Sequence, residues 1–159
     1  MKAMSITFSR DLIKGRIAEV IFEQMIREEN RYTVIPFGYE HTMPTLTQYR
    51  QFFPAEVQKV IDNISDAPDF ALISEDKTKI FLVEVKYQKH PDFLRVKEYA
   101  EKLLYRWETP WIFVATPDAF YCSPCSAIYK YGHIGELPES WVTKDRQAEY
   151  LKLLNEFER

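Results

Sequence analysis

Two acidic residues and one lysine lie inside two strongly apolar, β-prone runs of this sequence. Asp69 is in the first run, residues 67–73, and Glu84 and Lys86 are in the second, residues 80–86. The polar stretch between the runs is typical of a turn, so the two runs are predicted to form a β-hairpin. Charged side chains within apolar strands are costly unless they are paired or used in chemistry. These three residues are therefore the first candidates for a functional site.

The pairing of the two runs decides whether their charged residues meet. In a symmetric hairpin the numbers of paired residues sum to 153, which places Asp69 opposite Glu84. Opposed residues have Cβ atoms about 4.5–5.5 Å apart, where like charges destabilise a sheet, so a cation between the two carboxylates is expected. Lys86 lies on the same face as Glu84 because side chains alternate along a strand. A slip of one residue in the pairing would move Asp69 to the other face.

Adjacent carboxylates are hard anionic ligands of the kind that Mg²⁺ or Mn²⁺ prefers. Asp69 and Glu84 are the predicted ligands, and the backbone carbonyl of Val85 is a further candidate. A metal ion held there can polarise a phosphodiester and lower the pKa of a bound water. Lys86 can orient that water or stabilise the charged transition state. The alternative is structural, with an ion pair between Glu84 and Lys86 at a strand end and Asp69 as a turn residue.

Length and composition indicate a single domain, residues 1–159, with a packed core. The apolar fraction is 46%, and the formal net charge is −3. This charge argues against a protein that binds polyanions over its whole surface, but it permits a local basic groove. The sequence shows no secretory signal and no apolar run long enough to cross a bilayer, so we expect a soluble, cytoplasmic protein without a membrane partner.

A long first helix is predicted for residues 10–30, with Ser9 as its N-cap. Glu19 lies on an apolar sector of its helical wheel, which indicates either a boundary position or a role in an inward-facing site. Another arc of the wheel is apolar and is expected to be buried: Ile13, Ile17, Val20 and Ile21.

The remaining elements follow from helical and strand periodicity. They are a strand at 32–39, a loop at 40–53, a helix at 54–64, the hairpin, a helix at 92–107, a strand at 111–115, marginal strands at 120–122 and 127–131, and a helix at 144–159 with Ala148, Leu151, Leu154 and Phe157 on its apolar side. The helix at 92–107 joins two strands of one sheet and therefore implies a parallel crossover. We expect a mixed α/β fold with a central, mostly four-stranded mixed sheet flanked by helices.

The helix at 92–107 carries a row of basic residues with one aromatic, at helical spacing. The row consists of Arg95, Tyr99, Lys102 and Arg106. It is either an ordinary solvated face, balanced by neighbouring glutamates, or a surface that contacts phosphates.

Two cysteines, Cys122 and Cys125, have the spacing that metal sites and redox motifs share. A structural zinc site needs four ligands, and only His133 is nearby. A redox motif requires a helix opening at the cysteines, and the residues that follow are too short and too β-prone to form a long one. We therefore expect two inert thiols, with the redox and metal interpretations as alternatives.

The segment from Pro68-Asp69, through fourteen intervening residues, to Glu84-Val85-Lys86 resembles the PD-(D/E)XK signature of the restriction-endonuclease-like nuclease superfamily. The core of that family runs helix, three strands, helix, strand (αβββαβ). The predicted elements follow this order from about residue 9 to residue 115, with the helix at 54–64 as an insertion and further elements at the C-terminal end.

The resemblance implies Mg²⁺-dependent (or Mn²⁺-dependent) hydrolysis of phosphodiester bonds, most often in DNA, with Asp69, Glu84 and Lys86 as catalytic residues. A glutamate on the first helix often completes the family's site, and Glu19 matches it as a catalytic residue and possible metal ligand. Gln88 resembles a polar residue that some members use near the site, and it is grouped with Lys89 and the basic row as a nucleic-acid contact. The modest net charge favours a homodimer, a higher oligomer or a partner.

Two other functions remain open from the sequence. The first is a noncatalytic nuclease-fold protein that binds nucleic acid or serves in an assembly. The second is a thiol oxidoreductase that uses Cys122 and Cys125.

Overall fold

A mixed α/β fold is present in the computed structural model, which describes residues 2–37, 54–57, 59 and 67–157. The helices are α1 (Lys2–Glu29), α2 (Phe93–Arg106), α3 (Cys125–Tyr131) and α4 (Lys144–Phe157), and the strands are β1 (Tyr32–Pro36), β2 (Phe70–Ser74), β3 (Ile80–Tyr87), β4 (Pro110–Ala115) and β5 (Phe120–Pro124). The order helix, three strands, helix, strand matches the prediction. None of the described helices combines the length and apolarity needed to cross a bilayer.

The described strands form one five-stranded sheet in the order β1-β2-β3-β4-β5. Neighbours are antiparallel except β3 and β4, which are parallel and are joined through α2, so the predicted crossover is confirmed. The prediction of mostly four strands was one short. The strand considered marginal at 120–122 is real, and it extends to Pro124 because it pairs with β4 along its whole length.

The β2–β3 hairpin has the predicted register. Ile73 pairs with Ile80 and Ala71 with Leu82, so the paired numbers sum to 153. The turn between the strands is held by the Asp76 carboxylate, whose Oδ1 accepts hydrogen bonds from the backbone and hydroxyl of Thr78 and from the hydroxyl of Ser74. This local network fixes which residues face each other, because register in a hairpin follows from its turn.

Helices cover both faces of the sheet. Helices α1 and α4 pack on one face, where Phe22 contacts Phe70 and Phe113. Helices α2 and α3 pack on the other, where Val96 and Ile128 share a core cluster. Alternation along β3 sends Val83 and Val85 to the α1 face and Glu84 and Lys86 to the α2 face.

Helix α1 begins at Lys2, so the predicted N-cap at Ser9 is wrong. The residues before Ser9 contain neither Pro nor Gly, so nothing in them forces the helix to start there. The other end was predicted closely, because Asn30 adopts a positive φ of 60° that terminates the helix.

The burial of α1 agrees with the predicted arc at Ile17 and Ile21 and differs from it at the other two residues. Ile13 and Val20 are 58% and 56% exposed, because the helix turns a different side to the sheet. The residues that it buries are Ala18, Ile21, Phe22, Met25 and Ile26. On α4, Phe157 is likewise exposed, and Ala148 is exposed while Gln147 is buried. The Gln147 amide can be buried because it donates to two backbone carbonyls.

Residues 127–131, considered for a marginal strand, belong to helix α3 instead. Pro124 ends β5 in an extended conformation, and Gly132 ends the helix at a φ of 75°. Between them Ile128 is fully buried, so packing decides the structure of a segment with β-prone composition.

The region between β1 and β2 is described only in part. The predicted loop 40–53 and the last residues of the predicted strand 32–39 lie outside the described residues. Of the predicted helix 54–64, residues 55–57 and 59 are described, and they are helical.

Candidate active site

The sheet opens between β2 and β3 at the end that carries the acidic residues. Pairing of these strands stops at Phe70 and Val83, whereas β3 continues to Tyr87 alongside β4. Asp69 lies at this opening, and its Oδ2 accepts a 2.8 Å hydrogen bond from the backbone N–H of Val85. The aspartate side chain thus satisfies a donor that a longer β2 would otherwise have paired.

The carboxyl groups of Asp69 and Glu84 are in contact, as the register requires. Burial, a hydrogen bond with Glu84 and the negative charge of Glu84 together raise the pKa of Asp69 to about 9. The hydrogen bond from Val85 and the charge of Lys86 act in the opposite direction but do not outweigh the other effects. At neutral pH the Asp69 carboxyl therefore holds a proton. In the absence of a bound cation, this proton relieves the repulsion between the two acids, and the cation that the sequence predicts between them stays a prediction.

Lys86 lies on the same face of β3 as Glu84 and is partly buried. Its ammonium group is 4.4 Å from the centre of the Tyr99 ring, which α2 contributes. This contact fixes the lysine from one side, because a cation is attracted to the face of an aromatic ring. The sequence placed Tyr99 in the basic row but gave no sign that it meets Lys86, because that contact depends on how α2 packs over the sheet.

The Val85 carbonyl faces the opening together with the two carboxyl groups. In an extended strand the N–H and C=O of one residue point to the same side, and the N–H of Val85 points to Asp69. The site thus brings together oxygen atoms from Asp69, Glu84 and Val85 that could serve as metal ligands. Two carboxyl groups that share a proton, beside a carbonyl, suit a hard divalent cation that displaces the proton.

Among the described residues, Asp69 and Glu84 supply the side-chain ligands at this site. Within residues 2–37 and 67–157 there is no group of three or more His, Cys, Asp and Glu residues arranged to hold a metal ion. This ligand count fits Mg²⁺, which proteins hold through one or two carboxylates while substrate phosphate oxygens and waters complete the shell.

Glu19 does not join Asp69 and Glu84 in one metal-binding group. It lies on α1, whose buried residues pack on the other face of the sheet. Its side chain is 16% exposed and forms an ion pair with Arg16 at 3.5 Å. A boundary position on the helix accounts for this geometry, and its catalytic role stays a prediction.

A polar cavity of about 390 Å³ lies beside Lys86. Four of the residues predicted to contact nucleic acid line it: Gln88, Lys89, Arg95 and Tyr99. Lys102 and Arg106 are exposed on later turns of α2 and do not line it. The structure adds Asp11, Lys14 and His90 to the lining. The sequence gave no signal for Asp11 and Lys14, because their approach depends on the packing of α1.

Several side chains in this cavity are held by their neighbours. Arg95 Nε donates a 2.7 Å hydrogen bond to the Tyr99 hydroxyl, which orients the guanidinium group. The Gln88 amide accepts from the backbone N–H of Asp92 and donates to its carbonyl. Gln88 therefore joins the end of β3 to the start of α2, a structural role in addition to its place in the cavity wall.

The two cysteines are buried free thiols. Burial raises the pKa of both, and the negative charge of nearby Glu84 raises the pKa of Cys125 further, to about 12. A thiol reacts as its thiolate, so these groups are unreactive at neutral pH. This burial favours the inert interpretation over the oxidoreductase, and the electrostatic influence of Glu84 on Cys125 is one that the sequence did not indicate.

No sequence model of a known protein family matches this chain, and no curated protein sequence matches it. Inference about function therefore starts from the site itself.

Proposed function

We propose that the protein is a metal-dependent nuclease that hydrolyses phosphodiester bonds of nucleic acid, with DNA as the first substrate to examine. The observation that carries the proposal is the contact between the carboxyl groups of Asp69 and Glu84 at the opening of the sheet. Lys86 lies beside them on the same face of β3. A buried acid with a raised pKa beside a second acid, as Asp69 is beside Glu84, is costly for a fold and is typical of a catalytic site.

In this proposal Asp69, Glu84 and the Val85 carbonyl hold Mg²⁺ or Mn²⁺. The ion would act as a Lewis acid towards the phosphate and would lower the pKa of a bound water. With the ion bound, both carboxylates would be ionised ligands, and the Asp69 proton would be released to solvent. Lys86 places its ammonium group against the phosphate and stabilises the negative charge that develops there. Tyr99 limits the positions that this ammonium group can take.

A restriction-endonuclease-like core is part of the same proposal. The order of α1 to β4 supports it, as do the positions of Asp69 immediately before β2 and of Glu84 and Lys86 on β3. Glu19 on α1 is included as a further catalytic residue, and homodimerisation and a cytoplasmic location are proposed with it.

The test is a cleavage panel with single-stranded, duplex, nicked, flapped and four-way DNA in Mg²⁺, Mn²⁺ or EDTA. We expect metal-dependent cleavage of at least one form, and its loss in Asp69→Asn, Glu84→Gln and Lys86→Met proteins whose circular dichroism shows that they fold. Asp76→Asn is the matched control, because it makes the same chemical change at the turn. Cleavage that survives all three site substitutions would falsify the assignment.

A nuclease-fold protein that binds nucleic acid without cleaving it is the second candidate. The cavity favours it, because cationic side chains line the cavity whether or not the carboxylates hold a metal. It predicts DNA binding in EDTA, no cleavage with any metal, and no heat of Mg²⁺ binding in calorimetry.

A further inference from the structure

The cavity beside Lys86 is more positive than the chain as a whole. Its lining contains the cations Lys14, Lys86, Lys89 and Arg95 and the acids Asp11 and Asp92, an excess of two positive charges with His90 neutral. The complete chain has a formal net charge of −3. A local excess of cations in an acidic protein is the electrostatic pattern of an anion site.

One of the two acids is committed to the fold. Asp92 is the N-cap of α2, and its Oδ1 accepts a 3.1 Å hydrogen bond from the backbone N–H of Arg95. The partial positive charge of the helix N-terminus offsets this carboxylate. The Arg95 side chain, in contrast, forms its described hydrogen bond through Nε, and its orientation is fixed before a ligand arrives.

The aromatic residues of the cavity already carry cations over their rings. Lys86 lies over Tyr99 at 4.4 Å and Lys14 over Tyr87 at 5.5 Å. An ammonium group over a ring face takes the position that a stacked nucleobase would need. The cavity thus offers charge and hydrogen-bond donors, which suit phosphate and sugar rather than a base.

We propose that this cavity is a phosphate subsite, which holds a phosphate group of the nucleic acid next to the one that reacts at Asp69 and Glu84. The proposal rests on the proposed function, because Lys86 belongs to both sites. Arg95 and Lys89 supply the main contacts, with Lys14 on the α1 side. The volume of about 390 Å³ lies within the range of about 300–1,000 Å³ that is usual for small-molecule sites, so a sugar can enter with the phosphate. Because no base is read, recognition at this position is independent of sequence.

The experiment measures the binding of fluorescein-labelled oligonucleotides by anisotropy in EDTA, where no metal-dependent cleavage occurs. We expect the double variant Lys89→Ala/Arg95→Ala to bind about tenfold or more weakly, because it loses charge-assisted hydrogen bonds. On duplex DNA the slope of log affinity against log salt should fall by about 1 for each lost contact.

Two further variants separate the cavity from general electrostatics. Lys152→Ala removes an exposed charge from α4 and should leave binding unchanged. Lys130→Ala removes an exposed charge from α3, on the same side of the sheet as α2, and it should also have little effect, because Lys130 does not line the cavity. An equal loss in Lys130→Ala and in the double variant, or no loss in the double variant, would overturn the proposal.

Oligonucleotides with different ends show whether the bound phosphate is a backbone diester or a terminal monoester. Probes with a 5′-phosphate, a 3′-phosphate or only hydroxyl ends, each of two unrelated sequences, are compared. If the double variant loses affinity equally for all probes, the site takes a backbone diester, and if it loses affinity only for one phosphorylated end, the site takes that monoester. Both results support a phosphate subsite, whereas a loss confined to one base sequence contradicts it. Since binding in EDTA does not require cleavage, failure of the nuclease proposal would be seen separately in the cleavage panel.

Discussion

Two aspartates at opposite ends of the β2–β3 hairpin have opposite shifts in pKa. At the turn, hydrogen bonds from Thr78 and Ser74 lower the pKa of the exposed Asp76 carboxyl to about 2. At the other end, burial and the Glu84 carboxyl raise the pKa of Asp69 to about 9. The residue type is the same, so the difference comes from the surroundings alone.

The contrast separates a structural acid from a candidate catalytic one. Asp76 is surrounded by donors that favour its charged form, and that charge shapes the turn. Asp69 accepts one backbone N–H and meets another acid, so its charged form lacks compensation in the protein alone. A buried acid of this kind at the opening of a sheet is a candidate for a catalytic role.

The largest expected difference between the two aspartates is in catalysis. Asp69→Asn removes an anionic metal ligand and should lower the rate of metal-dependent DNA cleavage by about 10³-fold or more. Asp76→Asn should leave that rate unchanged, because Asp76 lies at the far end of the hairpin. Single-turnover cleavage assays measure both. A similar loss of cleavage rate in the two variants would show that Asp69 affects the rate through the stability of the hairpin and not through the reaction itself.

Lys86 provides the next largest effect. Lys86→Met keeps an unbranched side chain of nearly the same length but removes the charge, and we expect a loss of about 10²–10³-fold in the cleavage rate. Metal binding, measured by calorimetry, should persist because both carboxylates remain. A Lys86→Met protein with the full cleavage rate would remove the lysine from the chemistry.

Metal binding should depend on pH through Asp69. Its proton must leave when a cation binds, so Mg²⁺ affinity should rise about tenfold per pH unit from pH 6 towards pH 9, with about one proton released per ion. Calorimetry in buffers of different ionisation enthalpy measures this release. Affinity that is flat across this range would mean that Asp69 is already ionised in the free protein.

Stability should respond to the two aspartates with opposite signs. The folded pKa of Asp69 lies above its ordinary value of 3.8, so the folded protein binds more protons than the unfolded chain between about pH 4 and pH 9, and stability falls as pH rises through this window. Asp69→Asn removes this dependence of stability on pH. It should raise the free energy of unfolding at pH 8 by about 1–3 kcal/mol, because it replaces a buried acid whose charged form is poorly satisfied.

Asp76 follows the reverse rule. Its folded pKa is depressed, so its contribution to stability is present above its ordinary pKa of 3.8 and is lost as pH falls towards 2. Asp76→Asn should therefore destabilise the protein at neutral pH. Urea unfolding at pH 5, 7 and 8 measures both variants in metal-free buffer, and equal shifts in the same direction would contradict the assignment of opposite roles.

The smallest effect concerns the contact that positions Lys86. Tyr99→Phe keeps the ring under the lysine but loses the hydroxyl that orients Arg95, so we expect unchanged single-turnover cleavage at saturating DNA with weaker DNA binding. Tyr99→Leu removes the ring and should lower the cleavage rate as well, by about 2–5-fold, the size of one cation–π contact. Equal rates in the two variants would exclude a positioning role for the ring.

Local patterns predicted the parts of the site that are close in sequence. The hairpin register followed from the turn and the apolar pairs, and it brought Asp69 and Glu84 together as expected. Helix α2 was also predicted closely, because Asp92 caps its start and its buried residues recur at helical spacing. These features are decided within a few residues of chain.

Features that depend on packing between distant elements were not predictable in this way. Ile13 is exposed because α1 turns a different side to the sheet. Residues 125–131 form a helix because Ile128 is buried against the core. The contact of Lys86 with Tyr99 depends on how α2 lies across β3. Sequence periodicity describes one element at a time and carries no information about how two elements are oriented relative to each other.

Each face of the sheet has one buried cysteine, whose alkylation rate reports how often the helices on that face move away from the sheet. Cys122 belongs to the core under α1 and α4, and Cys125 to the core under α2 and α3. A buried thiol is alkylated only during the moments when its surroundings open. The alkylation rates of the two thiols therefore compare, in one unmodified protein, how often each layer separates from the sheet. Slower labelling of Cys125 when metal or DNA is added would show directly that the layer beside Glu84 tightens around its ligand.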